Sequence, residues 1–498
     1  MGSHMAILSP ARLNWPLLVG LKLMSRGKVR DTYDLGNGLL LVVATDAISI
    51  FDHVLNVLVP GKGISLTVMS VFWFRMLEKH GIGTHLVACG ADIDEYLPPQ
   101  HKDNIDLQSR AIVVKKCNMV DDTEFVLRGC LTGSGLKEYL ATGTVCGQRL
   151  PDGLQDGDEL PYLFFTPTTK AAVGHDEAVS ADARRQKYPD QVYRAVQIFQ
   201  IAQEYAKRRG FLLADTKFEF AGDGMLADEV LTMDSSRWWD LRTWQEGRRL
   251  VTGRKAPPGF DKQLVREWGK GSGVDKLKPE DPEDVAKVHA MQVPPVLIDQ
   301  TVQVYRYAPW RLIGMNRDQY LRNEMRVQVP QSPTKNVVII CGSETDLPCV
   351  TEACRSMFLR THVRAHTMSC HRNPKELMEF CQTVSGVDVI IGAGGKALAL
   401  PGVIDAWLYR FGKNIPVVGV VFGESGSKAL LAAELSIDEL PGQPVIMDEI
   451  SGRVYSGTQG LRDVLNRIEC GELPPPKTRK IKPVQMDVYF HVNSASCT

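Results

Sequence analysis

The stretch from Leu212 to Leu231 contains the side chains whose types and spacing are best suited to chemistry. Polar and apolar residues alternate over 212–220, so in a β-strand Asp215, Lys217 and Glu219 share one face and the apolar side chains share the other. This pattern predicts a strand with a charged face and a core face. The alternative is a strand whose charged face is simply solvated, as in many antiparallel sheets.

The dipeptide Asp223-Gly224 predicts a two-residue type I′ turn after this strand. The register of such a hairpin places Glu219 directly opposite Asp228. Two facing carboxylates destabilise a β-ladder unless a cation lies between them, and Mg²⁺ is the usual cation where lysine and phosphate are neighbours. The turn therefore predicts that Glu219 and Asp228 are ligands of a magnesium ion.

A basic, glycine-bearing hairpin is predicted over residues 26–31, ahead of an apolar strand at 39–43. Gly27, Lys28 and Arg30 lie in this hairpin. Such a hairpin can close over the phosphates of a nucleotide, with the two cations as donors. The alternative is an ordinary surface turn.

A second basic group surrounds a predicted strand and helix start. Arg128 is delivered by a strand into a glycine-containing turn, and Ser134 stands where the helix 136–140 begins. An arginine, a hydroxyl and free backbone N–H groups at a helix start form a phosphate-binding arrangement. The alternative is a capped helix with a nearby surface arginine. The strand 113–116, which precedes this group, ends in Lys116.

Four further polar residues lie in turns or broken loops. Ser49 and Asp52 follow the strand 39–43 and suit recognition of a hydroxyl or amine, although such residues are also common in turns. Lys170 lies in a proline-broken loop, and Arg237 lies in a turn that can direct it toward the carboxylates.

The composition sets the class of protein. With 498 residues the chain is too long for one core and predicts two to four domains. Lys+Arg and Asp+Glu both number 58, which favours neither nucleic acid nor a membrane as a partner.

Residues 1–5 are interpreted as an expression-tag remnant, and no targeting signal follows, so a cytoplasmic location is expected. The 11 cysteines show no C-x-x-C pair, which argues against structural zinc and a disulfide framework.

Seven motifs in the first part of the chain carry a family resemblance. They are GKVRDTYDL, ATDAISIFD, PGKG, VLRGCLTGSGLKEY, FTPTTKA, LLADTKFEF and LADEVLTMDSSRWW. Together they resemble phosphoribosylaminoimidazole-succinocarboxamide synthase over residues 15–310. The resemblance implies an α+β fold with ATP between two lobes. It also implies a reaction in which the carboxylate of an imidazole ribonucleotide is activated, as an acyl phosphate, and attacked by the amine of L-aspartate.

The resemblance also implies roles for individual residues. It implies ATP binding by Gly27, Lys28, Arg30 and Lys116, catalysis by Asp215 and Lys217, Mg²⁺ binding by Glu219 and Asp228, and substrate binding by Ser49, Asp52, Arg128, Ser134, Lys170 and Arg237. Three positions depart from the family pattern. They are Ala47 in place of arginine, Asp122 in place of proline and Ala221 in place of glycine.

The second part repeats the order strand, polar turn, helix four times. The predicted strands are 337–341, 363–368, 387–391 and 416–421. This order predicts an α/β, three-layer, doubly wound parallel sheet of the flavodoxin or Rossmann type, with a site at the carboxyl ends of the strands. The glycine-rich segment 392–395 is expected to be one of the turns. The expected boundaries are a ligase domain at 6–325, a linker at 326–335, this second domain at 336–470 and a tail at 471–498.

Two turns of this second domain, GSETDLP and SCHRNP, resemble phosphoribosylaminoimidazole carboxylase. The resemblance implies that aminoimidazole ribonucleotide is bound by Gly342, Ser343, Asp346, Ser369, Arg372 and Gly394, and that His371 moves the proton at the imidazole carbon. Whether the carboxyl group derives from bicarbonate or from CO₂ directly stays open. Cys370 and His371 as a nucleophilic pair are an alternative.

The two parts together predict a bifunctional enzyme of purine biosynthesis. A homo-oligomer through the carboxylase-like domain is expected, and an octamer is possible. The main rival is a working ligase whose second domain has lost catalysis and serves assembly or ligand sensing. The segment GAGGKALALPG supports that rival, because it lacks a histidine that many carboxylases carry and has Lys396 instead. A flavodoxin-like electron-transfer module is a third class, but no companion redox motif is present.

Overall fold

The computed structural model describes residues 7–169, 179–249, 253–330, 334–355, 357, 361–396, 398–440, 444–448 and 451–473. The chain divides into two compact units, residues 1–331 and 332–498. None of the helices within these described ranges is long and apolar enough to cross a membrane.

The first lobe of the first unit is an antiparallel sheet packed on helices. Its five strands run in the order β1-β2-β3-β7-β6, and β4 pairs separately with β5. The strands are β1 Lys22–Arg26, β2 Arg30–Gly36, β3 Leu39–Ala44, β4 Ala47–Ile50, β5 His53–Leu58, β6 Leu86–Cys89 and β7 Ala111–Lys115. The helices are α1 Pro10–Leu13, α2 Lys62–Lys79 and α3 Ile105–Arg110.

The second lobe is built on a long central strand. Its sheet has the order β11-β8-β12-β13, and β14 also pairs with β12. The strands are β8 Phe125–Cys130, β9 Thr144–Val145, β10 Gln148–Arg149, β11 Glu159–Phe165, β12 Phe211–Phe220, β13 Leu226–Ala227 and β14 Ser236–Asp240. The helices are α4 Gly133–Thr142, α5 Ala181–Lys187, α6 Pro189–Arg208, α7 Leu241–Gly247, α8 Gln263–Gly271, α9 Pro282–Ala290, α10 Pro295–Ile313 and α11 Arg317–Asn323.

Strand β12 is held in place by apolar contacts on its core face. Helix α6 begins with Pro189, which is preorganised for the first turn, and buries an apolar stripe that includes Ile198 and Phe199. Phe218 and Phe220 on β12 are fully buried, whereas Lys217 and Glu219 are only half-buried. The predicted alternation of burial is therefore confirmed from Lys217 to Phe220, whereas Asp215 on the charged face is buried as well.

The predicted turn after β12 is wrong by one residue. The Ala221 amide donates to the Met225 carbonyl (2.9 Å) and the Gly224 amide to the Ala221 carbonyl (2.9 Å), which closes a three-residue loop with Gly224 at φ +84°. A turn followed by a left-handed glycine is the usual three-residue hairpin connection. As a result Glu219 pairs with Ala227, and not with Asp228.

The second unit contains a parallel sheet with helices on both faces, so the predicted fold class is confirmed. Its strand order is β16-β15-β17-β18-β19. The strands are β15 Asn336–Cys341, β16 His362–Thr367, β17 Val389–Gly394, β18 Val417–Val421 and β19 Tyr455–Ser456, and the helices are α12 Leu347–Arg355, α13 Pro374–Thr383, α14 Leu400–Arg410, α15 Lys428–Asp438 and α16 Gly457–Cys470. One core joins the sheet to α13, α14 and α15, and the other joins it to α12 and α16.

The glycine-rich segment 392–395 was predicted as a turn, but β17 continues through Gly394. A Cβ at Gly392 would lie 2.8 Å from Cγ of Pro401, so glycine is needed where α14 packs closely on the strand. The predicted linker 326–335 is also partly packed. Val327 is fully buried, and Arg326 forms an ion pair with Asp92 of the first unit.

Candidate active sites

The charged face of β12 is a compact cluster of ion pairs. Lys217 Nζ donates to Glu124 (2.6 Å) and to Glu219 (3.0 Å). Burial alone would lower the pKa of Lys217, but the attraction of Glu219, Glu124 and Asp228 raises it above its usual range. Sequence reasoning missed Glu124, whose position just before β8 becomes informative only once β8 is paired with β12.

A second cation completes this cluster from the glycine-bearing hairpin. Arg30, the first residue of β2, contacts Asp228 (2.8 Å) and Glu229 (3.2 Å). Burial opposes ionisation of Asp228, yet Arg30 and Lys217 lower its pKa below its usual value. Glu229 was also missed by sequence reasoning. Glu219 and Asp228 nevertheless lie near the same two cations, since each attracts both Arg30 and Lys217 electrostatically. The predicted pairing of Glu219 with Asp228 across the hairpin is absent.

The donor chemistry of this cluster fits a magnesium ion. Carboxylate oxygens are the ligands that Mg²⁺ prefers, and it is commonly held by one or two carboxylates together with substrate phosphates and water. Glu219 and Asp228 present such oxygens. Among the described residues no group of three or more histidines, cysteines or acids is arranged to hold a metal by itself. The arrangement therefore fits a magnesium ion that is held by two protein carboxylates and takes its remaining ligands from a nucleotide.

Next to this cluster, Asp215 lies between two arginines. It is opposite Arg128 of β8 on one side and opposite Arg237 of β14 on the other. Both guanidinium groups pair with its carboxylate, Arg237 at 3.2 Å. Arg237 was expected in a turn, but it belongs to β14, and this position on a neighbouring strand is what directs it at Asp215.

Arg128 and Ser134 are brought together as the sequence predicts. Arg128 Nη2 donates to the Ser134 hydroxyl (3.0 Å), and its Nε donates to Thr166 (3.0 Å). Gly133, with φ +60°, brings the start of α4 close to Arg237, because a Cβ there would lie 3.1 Å from its Nη2. The two arginines and the helix start therefore face one region, as an anion-binding site requires.

Arg237 and its partner Asp215 line a cavity of about 120 Å³ in the first unit. Its charged lining consists of Asp215, Lys217, Asp234, Arg237, Asp261, Lys262 and Arg266. The cations outnumber the acids, so the cavity suits an anionic ligand. The residues from Asp261 to Arg266 come from the polar segment that follows β14 and from the start of α8, and no sequence pattern marks them as site residues.

The other predicted residues of the first unit have separate environments. Lys28 Nζ contacts Asp52 (2.6 Å), so the hairpin is joined to the segment after β4. The Gly27 amide donates to the Arg30 carbonyl (2.8 Å). Ser49 is buried in β4, and Lys116 is exposed after β7. Lys170 lies outside the described residues.

Two of the departures from the family pattern have a clear environment. Ala47 is fully buried in β4. Asp122 accepts hydrogen bonds from Arg184 (2.6 Å), Lys187 (2.5 Å) and Tyr188 (2.6 Å). These donors lower its pKa below the usual range against the effect of burial. Asp122 therefore anchors α5 to the loop before β8, a role that proline cannot fill.

In the second unit, predicted residues gather at the carboxyl ends of β15, β16 and β17. The Ser343 amide donates to Asp346 (3.0 Å), and Arg372 Nη2 donates to the Gly342 carbonyl (2.7 Å). A Cβ at Gly394 would lie 3.3 Å from Asp346. Burial raises the pKa of Asp346 above its usual value.

The histidine of this group is exposed. His371 and Arg372 both donate their amides to the Ser369 hydroxyl (3.3 Å each), so Ser369 orders the turn that presents them. The turn lies at the sheet edge where a doubly wound fold binds ligands. Lys396 is also exposed and adopts φ +59°, a conformation that costs free energy in a lysine.

Comparison with protein families assigns both units. The SAICAR synthetase family model matches residues 23–280, more than half of the chain, and the AIR carboxylase family model matches residues 336–455. The chain belongs to the SAICAR synthetase family and carries an AIR carboxylase-family domain after the ligase domain, a pair of families that act in purine biosynthesis. Both predicted resemblances are confirmed.

Individual relatives support the same assignment. The phosphoribosylaminoimidazole-succinocarboxamide synthase of Neisseria meningitidis serogroup A is 41% identical over 300 residues, 58% of this chain and 96% of that protein. The same enzyme of Pasteurella multocida is 40% identical over 300 residues, 58% of this chain and 97% of that protein. The solved structure of the Saccharomyces cerevisiae SAICAR synthase complexed with SAICAR is 34% identical, with a TM-score of 0.51, covering 60% of this chain and 98% of that one.

Proposed function

We propose that the first unit joins L-aspartate to carboxyaminoimidazole ribonucleotide in an ATP- and Mg²⁺-dependent ligation that produces SAICAR. The observation that carries this proposal is the adjacency of two sites on β12. The carboxylate and cation cluster around Lys217 is suited to a metal nucleotide, and the arginine-lined cavity beside it is suited to a phosphorylated substrate.

The chain's own cations bind and orient the anionic reactants. We assign Gly27, Lys28, Arg30 and Lys116 to ATP, in agreement with a glycine hairpin that joins Arg30 to the carboxylates. Glu219 and Asp228 would hold Mg²⁺, which when bound supplies positive charge beside the transferred phosphoryl group. With ligands bound, Arg30 would contact nucleotide phosphates in place of Asp228, and the Asp228 carboxylate would be available to hold Mg²⁺.

Arg128 and Ser134 would hold the 5′-phosphate of the ribonucleotide, with Lys170 and Arg237 as further anion contacts. Ser49 and Asp52 would contact the ribonucleotide or aspartate. Asp215 keeps the two arginines in fixed positions, and Lys217 directs its charge at the substrate carboxylate. Activation of that carboxylate by ATP gives an acyl phosphate, and attack of the aspartate amine releases inorganic phosphate.

For the second unit we propose carboxyl transfer to aminoimidazole ribonucleotide, with bicarbonate or CO₂ as the source. Gly342, Ser343, Asp346, Ser369, Arg372 and Gly394 would bind the ribonucleotide at the strand ends. His371 is presented at the same edge, and an imidazole suits proton transfer at a carbon acid near neutral pH. The strained, exposed Lys396 favours a second candidate, a domain that binds the ribonucleotide without catalysis.

We also propose that copies of the chain assemble through the second unit. Edge strand β16 exposes most of its side chains, and an unprotected edge strand readily pairs with another chain. A second copy would cover this edge in a homo-oligomer, up to an octamer.

The metal assignment predicts that Glu219→Gln and Asp228→Asn each lower Mg²⁺-dependent ATP turnover by about a hundredfold, because a lost ligand weakens metal binding. The assay follows ADP release at several Mg²⁺ concentrations. Glu204→Gln, an exposed acid on α6, is the matched control and should keep wild-type turnover. Wild-type turnover in either site variant at limiting Mg²⁺ would refute the metal site.

The phosphate assignment predicts that Arg128→Ala raises the KM for the ribonucleotide far more than the KM for ATP. A charge-assisted contact of this kind contributes about 1.5–3 kcal/mol, roughly ten- to a hundredfold in affinity. Steady-state kinetics with each substrate varied in turn measure the difference, with Arg208→Ala on the exposed face of α6 as control. Equal effects on both KM values would contradict this assignment.

The carboxylase assignment predicts that His371→Asn eliminates carboxyl transfer to aminoimidazole ribonucleotide while ligation of supplied carboxylated substrate is unchanged. The two rates are measured separately on the full chain, with bicarbonate and with CO₂. Arg410→Gln, at an exposed position at the end of α14, serves as control. If the unmodified chain transfers no carboxyl group from either source while ligation proceeds, the second unit is the non-catalytic domain of the rival hypothesis.

A further inference from the structure

Lys262 lines the cavity of the first unit without a direct partner of its own. It immediately precedes α8, and its carbonyl accepts the Arg266 amide (3.0 Å), so its backbone position is fixed. Its side chain is half-buried and lies beside Asp215, Lys217 and Arg237 in the cavity lining. Within the described part of the chain, no hydrogen bond or close ion pair involves its ammonium group.

Lys262 is not paired with Asp234, the carboxylate that attracts it most strongly, because both oxygens of Asp234 already accept hydrogen bonds. Asp234 accepts from Lys62 Nζ at one oxygen (2.6 Å) and from the Tyr305 hydroxyl at the other. Lys62 is fully buried at the start of α2, and Tyr305 is buried in α10. Both oxygens of Asp234 are thus taken by donors from the two helices, and Lys262 receives only the longer-range field of that charge.

The titratable groups around Lys262 come from three helices and from the loop between β13 and β14. Arg266 on α8 and Lys62 on α2 repel its ammonium form, whereas Asp234 before β14 and Glu229 after β13 attract it. Tyr305 on α10 acts through Asp234. Burial, together with the two cations, outweighs the two acids and lowers the pKa of Lys262 to about 8. A lysine in this environment is partly neutral near physiological pH and can accept a proton.

Other titratable side chains of the cavity are already paired. Lys217 is held charged by Glu124 and Glu219, and Asp215 forms ion pairs with two arginines. Asp261 accepts the Gln263 amide (2.8 Å), and because burial raises the pKa of its carboxyl group, it is the competing base that the experiment must test. Lys262 therefore combines access to the cavity with a free electron pair in its neutral form.

We propose that Lys262 is the general base that accepts the proton of the attacking aspartate amine, an inference that rests on the ligation proposed above. Aspartate enters as the free amine, and its nitrogen attacks the carbonyl carbon of the acyl phosphate. The C–N bond forms while the C–O bond to phosphorus breaks, and that electron pair leaves with inorganic phosphate. One N–H proton passes to the neutral Nζ of Lys262, and the resulting ammonium group returns the proton to solvent after product release.

The test is the pH dependence of kcat at saturating aspartate in the full chain. We expect the wild-type kcat to rise about tenfold per pH unit below pH 8 and to level off above it, as for a single base. Lys262→Gln should lose this limb and lower kcat by about 10²–10⁴-fold, the usual contribution of a positioned base. Lys276→Gln, an exposed lysine of the same segment, is the control and should keep both rate and profile.

Three further measurements separate a lost base from a damaged fold and from a base at Asp261. Hydroxylamine, a strong nucleophile that reacts without a base, should still give ribonucleotide hydroxamate and ADP with Lys262→Gln. In Lys262→Ala, added methylamine should restore part of the ligation rate, while in Asp261→Asn the acid limb should persist. Failure of methylamine to rescue a variant that still forms hydroxamate would contradict the proposal.

The outcomes also separate this inference from the ligation on which it rests. If the wild-type chain releases no ADP with carboxyaminoimidazole ribonucleotide and either nucleophile, the proposed ligation fails and the base assignment falls with it. If the wild type is active and Lys262→Gln keeps its kcat and pH profile, only the base assignment is overturned.

Discussion

The first unit depends on the mutual neutralisation of charges that folding removes from water. Lys217 and Arg30 between them contact Glu124, Glu219, Asp228 and Glu229. An ion taken out of water costs several kcal/mol unless it is paired, so the pairing of opposite charges in this cluster offsets the cost of burying them. The carboxylates that we propose as metal ligands are therefore paired with the cations that we propose to bind phosphates. The same ion pairs stabilise the protein when no ligand is bound.

Strand β12 gives this cluster its geometry. It is paired on both edges, and its core face is fixed by α6, so its polar face presents Asp215, Lys217 and Glu219 in a row at a spacing set by the strand. Neighbouring strands then supply the complementary arginines, Arg128 and Arg237. The ion-pair cluster around Lys217 and the cavity are adjacent because they use alternate residues on one face of the same strand.

Much of this arrangement could be predicted from sequence, because it follows from local patterns. The alternation in β12 and the buried apolar strands of the second unit are periodic signals that the fold preserves. The hairpin register could not be predicted, since Asp223-Gly224 fits both a two-residue turn and the observed loop with Gly224 in the left-handed region. Strand β19, with two residues, is too short to show any period.

The site residues that sequence reasoning missed share a physical cause. Glu124, Thr166, Glu229 and Lys262 reach the site from loops or element ends, where no periodicity marks which way a side chain points. Their roles follow from pairings between distant segments, such as β8 with β12. Local propensity determines the elements, whereas these long-range pairings determine the chemistry.

Oxygen-18 tracing tests most directly whether the cluster around Lys217 and the neighbouring cavity serve one reaction through an activated carboxylate. Carboxyaminoimidazole ribonucleotide labelled with ¹⁸O in its carboxyl group would be converted with ATP, Mg²⁺ and aspartate, and the inorganic phosphate analysed by mass spectrometry. We predict transfer of one labelled oxygen to phosphate for each amide formed, since the C–O bond to phosphorus breaks during attack. Amide formation with unlabelled phosphate would contradict the account.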